Sequence, residues 1–239
     1  MSFFGTTASN RKIEPIPVID TDFYAEFTMA DPADALNITT QFKYYLAYDI
    51  RKYGILDPDN LQYSIDGTNW LPLPAPSAGI NMMMCVITGA TKYYVRQTPG
   101  KPAVTWVAFI ESEMISCDAM NTIGITEFGV MFDRCRKLKT IPAIDTSNGT
   151  IFPQMFLGCH ALEYVPYLET SKGEYLFQVF SEVNAMKCLG GLDTTAVTGS
   201  KNMMYLFNST PVMVAPNSAE RDDLMHLPGV KWVNPNPCP

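Results

Sequence analysis

Residues 131–147 read MFDRCRKLKTIPAIDTS, and residues 155–171 read MFLGCHALEYVPYLETS. Set in register on Phe132 and Phe156, they share Met, Phe, Cys, Leu, Pro, Thr and Ser. A third copy, Val179 to Thr195, keeps Phe180, Leu192, Asp193 and Thr194, with Val183 in place of Cys and Gly190 in place of Pro. A fourth runs from Leu206-Phe207 through Thr210 and Met213 to Pro216. The steps are 24, 24 and 27 residues. An earlier, degenerate unit fits Met114, Cys117, Met120 and Ile123-Gly124 at a step of 18. Self-similarity at a fixed period predicts units that cannot bury their apolar side alone and must stack.

Within one unit the local physics is legible. Phe132, Cys135 and Leu138 recur every third residue, which predicts one face of a helix or 3₁₀ turn. Pro142 has no N–H to donate and ends that turn. Ile144 opens a short extended stretch into Asp145-Thr146-Ser147, where side-chain oxygens can accept nearby backbone N–H groups.

Ahead of the repeat, residues 21–112 read as strands. Leu36, Ile38, Thr40 and Phe42 alternate onto one face, and Leu61, Tyr63 and Ile65 onto another. Lys43 to Tyr53 fits a strand or a short helix. Asp66-Gly67 predicts a turn into a return strand at Trp70-Leu-Pro-Leu. Gly89 predicts a second hairpin between Met82–Thr88 and Tyr93–Arg96, and Val104 to Ile110 a last strand. Short strands at this spacing predict a β-sandwich. Residues 1–20 alternate apolar residues with prolines, which favours an extended arm that docks on a partner or a free tail. After the repeat, residues 217–227 fit a short helix N-capped by Ser218, and Gly229 to Val233 a final strand, as a cap on the open end of the stack. The expected division is an arm over 1–20, a sandwich over 21–112 and a repeat domain with its cap over 113–239.

Composition narrows the function. The 239 residues are 47% apolar and 17% charged, with a formal net charge of −7. That acidity argues against nucleic acid as a partner, which needs clustered Lys and Arg. Arg134, Arg136, Lys137 and Lys139 do cluster, and fit the solvated face of one unit better than an anion site. The longest apolar runs fall short of the roughly 18 residues of a membrane span, so no membrane insertion is expected. The opening MSFFGTTASNRKIEPIPVID has no apolar core behind a basic start, and no secretory signal is expected. Only His160 and His226 are present, which excludes most His-based triads and metal sites. No GxSxG, Walker, HExxH or GxGxxG motif occurs. Cys159-His160 are adjacent and should point apart on a helix, so no Cys–His nucleophile is expected. Asp57-Pro58-Asp59-Asn60 fits a solvated turn better than a Ca²⁺ loop. Catalytic, cofactor-binding and metal residues are therefore expected to be none. The six cysteines contain no CxxC; they fit small buried hydrophobes in a repeat core, with disulfides as the alternative. The methionine clusters Met82-Met83-Met84 and Met203-Met204 fit flexible core filler, or an adaptable contact surface.

The pattern Met-Phe-x-x-Cys-x-x-Leu-x-x-Ile/Val-Pro-x-Ile/Leu-Asp/Glu-Thr-Ser resembles the BspA-like leucine-rich repeat over residues 113–216. The stretch from Tyr63-Ser-Ile-Asp-Gly to Tyr94-Val-Arg is similar to the small Ig-like β-sandwich module that precedes such repeats in bacterial surface and phage-encoded proteins. The resemblance implies a mixed fold, a mainly β sandwich followed by a short α/β leucine-rich-repeat solenoid. It implies surface display and adhesion rather than catalysis. Its phage-encoded form implies a virion structural protein, a capsid decoration or a tail protein, made in the host cytoplasm. Its partners would be other virion proteins and a host-surface glycan or protein, with copies multiplied by virion symmetry. A bacterial adhesin-type module and a tail-borne glycan hydrolase are the alternatives.

Overall fold

The computed structural model describes residues 22–47, 50–79, 82–198, 206–207 and 231–233. The expected arm over 1–20 and cap helix over 217–227 lie outside these residues. The described chain is mainly β. Its strands are β1 (Tyr24–Met29), β2 (Leu36–Ala47), β3 (Ile50–Ile55), β4 (Leu61–Ser64), β5 (Leu71–Pro72), β6 (Ser77–Gly79), β7 (Met82–Ile87), β8 (Lys92–Gln97), β9 (Met114–Asn121), β10 (Tyr164–Val165), β11 (Cys188–Leu189), β12 (Gly191–Asp193) and β13 (Lys231–Val233). Among the described residues the helical content is one 3₁₀ turn, Pro58–Asn60.

Two antiparallel sheets form first, in the orders β5-β4-β8-β1-β9 and β3-β2-β7-β6. Period-two alternation decides which side chains go inside. In β1, Ala25, Phe27 and Met29 are buried while Tyr24, Glu26 and Thr28 face outward. In β8, Tyr93, Val95 and Gln97 are buried between Lys92, Tyr94 and Arg96. Leu36, Ile38, Thr40 and Phe42 of β2 are buried as expected. The inner faces of both sheets share one apolar core.

Three local expectations change. Asp66-Gly67 does turn β4 into β5, with Gly67 at a φ of 75°, but β4 ends at Ser64. Ile65 therefore sits in the turn, 53% exposed, and the buried Ser64 hydroxyl accepts the Asp66 and Gly67 N–H groups instead. Gly89 does not make a hairpin. β7 pairs with β2 and β6 in one sheet, and β8 with β1 and β4 in the other. Gly89, at a φ of 104°, carries the chain across the core from sheet to sheet, a conformation that costs glycine little. Residues 104–110 are not a strand. Ala108 makes one antiparallel bridge to Thr39 of β2, and Trp106 one parallel bridge to Glu127 of the repeat.

The repeat forms a stack of turns. The rings of Phe132, Phe156, Phe180 and Phe207 lie in one column with centroids 5.6, 5.7 and 5.3 Å apart and planes within 9° of parallel. All four are buried. A second column sets Phe128 on Phe152 at 5.1 Å. A Cβ on Gly149 would lie 2.3 Å from the Phe152 ring, so glycine is what lets the chain close over it. Each fully buried Phe contributes about 2–3 kcal/mol by removal from water. Parallel one-residue bridges tie the units along three lines, Trp106–Glu127–Ile151–Tyr175, Ser116–Thr140–Tyr164 and Leu168–Leu192. The second line continues into the parallel pair β10–β11.

The three-residue apolar spacing is satisfied without a helix. The N–H groups of Phe128, Val130, Phe132 and Arg134 donate to the carbonyls of Ile151, Pro153, Met155 and Leu157 in the next unit, at 2.7, 2.9, 2.8 and 2.6 Å. Between them, Met131, Asp133, Cys135 and Leu138 donate back three residues along the chain. With half of the N–H groups aimed across units, no i→i−4 ladder can propagate. Left-handed residues recur in step, at Val130, Gln154 and Gln178 and again at Arg134, Gly158 and Glu182. Such residues interrupt a right-handed helix wherever they fall.

The Asp-Thr-Ser reading holds in detail. Asn121, Asp145, Glu169 and Asp193 each accept the N–H two residues on, at 3.1, 2.9, 3.1 and 2.9 Å. The following threonines, Thr122, Thr146, Thr170 and Thr194, are all buried. The degenerate first unit, however, is not in the expected register. Phe109, and not Met114, stacks on Phe132 at 6.0 Å, and Phe109 and Glu111 donate to the carbonyls of Met131 and Asp133. The stack therefore begins inside the stretch read as the last sandwich strand.

That register welds the two parts. β9 is the last strand of the five-stranded sheet, paired with β1, and through Ser116 it also opens the parallel line into the stack. Trp106 packs over Gly54 of β3, where a Cβ would lie 2.3 Å from its ring, and donates Nε1–H to the Gly129 carbonyl at 3.1 Å. Strand pairing and core thus run across the expected division at 112/113. At the far end β13 pairs antiparallel with β12, Trp232 opposite Leu192, which is the expected final strand. Reversing direction there stops the parallel Leu168–Leu192 line from continuing.

Candidate functional site

The seam between the sheets and the first turns of the stack concentrates charge. A cleft of about 430 Å³ is lined by Glu111, Ser112, Glu113, Arg134, Arg136 and Lys137. Arg134 reaches Glu111 at 2.8 Å and Asp133 at 2.9 Å. Lys137 reaches Asp34, in the β1–β2 turn, at 2.6 Å and Glu113 at 3.3 Å. Glu113 also accepts the Ala35 N–H at 3.0 Å. The hydrogen bond from Lys137 holds the Asp34 carboxyl below its usual range. Asp133 is 1% exposed, and burial pushes its pKa up to about 6 against the pull of Arg134. A second polar strut lies across the seam, where Lys52 and the Tyr44 hydroxyl both donate to Glu127. Two of the four cations of the basic cluster, Arg134 and Lys137, are therefore paired with carboxylates. Lys137 cross-links the stack to the β1–β2 turn, Arg134 ties the first two turns of the stack through Glu111, and Arg136 faces the cleft. The chemistry here is that of a clamp, with its cations matched to carboxylates across the joint.

The chemical candidates weighed in the sequence fall elsewhere. Cys159 is fully buried, and its Sγ–H donates to the Phe132 carbonyl at 2.9 Å. Burial drives its thiol pKa well up, and those of Cys117 and Cys135 likewise. His160 makes its contacts on the other side, to the Glu182 carbonyl at 3.0 Å and to Asn184 at 3.2 Å. Cys159 and His160 therefore do not pair with each other. Cys85, Cys117, Cys135 and Cys159 are free and buried, as small hydrophobes, whereas Cys188 is disulfide-bonded. Asp57 caps the 3₁₀ turn, accepting the Asp59 N–H at 3.0 Å, which is the turn role expected of it. No group of three or more potential metal ligands lies together among the described residues. No helix among them is long and apolar enough to cross a membrane. Of the methionines, Met114, Met131, Met155 and Met186 are core, while Met83 is 36% exposed.

A second surface was not visible in the sequence. The outward face of the five-stranded sheet continues through β9 and Thr140 to β10 and β11, because the parallel line keeps neighbouring residues on one face. On it three half-buried rings each carry a cation. The Arg96 guanidinium lies 4.0 Å from the Trp70 ring centre, Lys92 Nζ 5.6 Å from Tyr94, and Lys187 Nζ 5.8 Å from Tyr164. Arg96 also donates to Gln62 at 3.1 Å. Lys92 bridges Glu26 and Asp118 at 3.1 and 2.6 Å. Lys187 pairs with Glu163 at 2.6 Å. Alternation in β1 and β8 could have placed Lys92, Tyr94 and Arg96 outward. Nothing local could have placed Tyr164 on the same surface. Compared with family models, with curated proteins and with solved structures, the chain finds no match.

Proposed function

We propose that the protein is a non-enzymatic virion structural protein whose sheets seat it on a particle and whose stacked repeat is displayed for surface attachment. On this reading the stack is a short leucine-rich-repeat solenoid of the BspA-like kind, with an Ig-like module before it. The observation that carries the reading is the single column of Phe109, Phe132, Phe156, Phe180 and Phe207, joined to the sheets through β9 and a shared core. A stack tied to its base by a shared core and two polar struts projects as one stiff body, and a stiff arm loses little entropy when it binds. The thiols and the seam carboxylates are taken up by packing and by the clamp, in keeping with a recognition role. Mass spectrometry of density-purified phage particles from cultures that carry the gene tests the proposal. Stoichiometric recovery in particles supports it. Recovery only in the bacterial envelope fraction would replace it with the adhesin reading.

A further inference from the structure

Trp70, Tyr94 and Tyr164 come from distant parts of the chain, yet all project from one continuous sheet face. Strand spacing of about 4.8 Å puts the strands bearing Tyr94 and Tyr164 about 19 Å apart, four strand steps across the sheet. A partner touching all three rings must therefore be an extended chain. The charges on this face include Lys92, paired with Glu26 and Asp118, Lys187, paired with Glu163, and Arg96, which stacks on Trp70 and hydrogen-bonds Gln62. A polyanion laid here would meet the three carboxylates, and a polycation the three cations, each at a cost in like-charge repulsion. Of the exposed aliphatic residues, Ile55, Met83 and Val86 belong to the other sheet, while Leu71 of β5 and Ile65 of the β4–β5 turn lie at the edge of this one. Rings with electron-rich faces suit the polarised C–H groups of a sugar, and a cation on a ring fixes its orientation. The Gln62 amide, the carboxylates and the lysines around the rings supply donors and acceptors for hydroxyl groups.

We propose that this outward face binds a neutral glycan chain laid across Trp70, Tyr94 and Tyr164. It rests on the surface-attachment reading, extends the attachment surface from the stack onto the outward face of the five-stranded sheet, which leaves the four-stranded sheet to seat the protein, and names the class of ligand. Uncharged sugars suit the rings and the two ion-paired groups together, without setting a like charge beside either.

Affinity electrophoresis of the full chain tests it, in native gels containing soluble β-glucan, mannan, xylan or dextran, with polygalacturonate as the anionic control. At least one neutral polysaccharide should retard the protein. Trp70→Ala and Tyr164→Ala should each weaken that retardation at least five-fold. Tyr164→Phe, which keeps the ring, should retain it, as should Ile55→Lys on the opposite sheet. Circular dichroism verifies that each variant is folded, and Trp70→Phe against Tyr94→Ala carries the comparison if Trp70→Ala is not. Retardation by none of the four, by polygalacturonate alone, or with no sensitivity to the ring variants overturns the inference. Particles that contain the protein, together with a protein that ignores all four sugars, would sink this inference and leave the particle reading intact. Sugar binding by a protein missing from particles would do the reverse.

Discussion

Replacing Phe156 by Ala probes the stack at its centre. Its ring is fully buried and lies between Phe132 at 5.6 Å and Phe180 at 5.7 Å, nearly parallel to both. Truncating a buried Phe costs about 3–5 kcal/mol in transfer and cavity terms. Two ring pairs add about 0.5–1.5 kcal/mol each beyond area. We expect a loss of about 5 kcal/mol. At about 2–4 °C per kcal/mol for a chain of this size, the melting temperature should fall by about 10–20 °C. Phe156→Leu keeps most of the apolar volume and loses only the ring pairs, so it should cost about 1–2 kcal/mol. Urea titration followed by circular dichroism gives both values. Hydrogen exchange localises them, because the Phe132 and Phe156 amides donate across units to Met155 and Val179 and should lose protection first. Phe132→Ala and Phe156→Ala share a contact, so their effects should couple by more than about 0.5 kcal/mol. A loss under about 1 kcal/mol for Phe156→Ala, or strict additivity of the pair, would refute the column as the stabilising element.

Other consequences are equally open to measurement. Asp133 holds its proton to about pH 6 in the folded chain, whereas an unfolded Asp releases it near pH 4. Between those values the folded state binds more protons, so stability should fall as pH rises, by on the order of 2 kcal/mol, and Asp133→Asn should flatten that slope in urea titrations at pH 4.5 and 6.5. Thr146 and Thr170 are equivalent in the repeat but not in bonding. The Thr170 hydroxyl donates to the Asp193 carbonyl at 2.6 Å and accepts its N–H at 2.9 Å, while the buried Thr146 hydroxyl has no partner. Thr170→Val should cost about 1–3 kcal/mol and Thr146→Val should be neutral or stabilising; equal losses in thermal melts would contradict this. Gly158→Ala should cost about 1–2 kcal/mol at its φ of 70°, read as a drop in urea midpoint, with Thr150→Ala on the surface as the silent control. Iodoacetamide labelling with peptide mapping should find Cys117, Cys135 and Cys159 unreactive until the protein unfolds, since burial suppresses their thiolates.

The tight seam bears on how the protein could act. Lys137 links residues 103 apart in the chain, from the β1–β2 turn to the second turn of the stack. Asn37, in a sequence that matches a glycosylation site, is 8% exposed and spends its amide on the carbonyls of Ile110 and Glu111. Residues that look like surface features in the sequence are thus part of the joint. A force applied to the stack is carried into the sheets through Trp106, β9 and these polar links together.

The chain by itself determined everything that repeats locally. A period of 24 residues fixes which side chains share a column, so Phe132, Phe156 and Phe180 could be aligned before any coordinates. Turn chemistry from Asp145 to its counterparts is a matter of residues two apart, and it too was legible. Alternation in β1 and β8 gave their buried faces for the same reason. Pairing between distant segments was settled only by the tertiary structure. A strand has two edges, and its own sequence does not say which neighbour takes each. Gly89 therefore reads as a hairpin though it is a corner between sheets. Phe109 sits in an apolar run with no repeat signature, and only its place above Phe132 makes it the first ring of the column. Of the helix or 3₁₀ turn suggested by Phe132, Cys135 and Leu138, only three-residue turns form, because the next unit offers carbonyls to half of their N–H groups, and those acceptors exist only once the units stack.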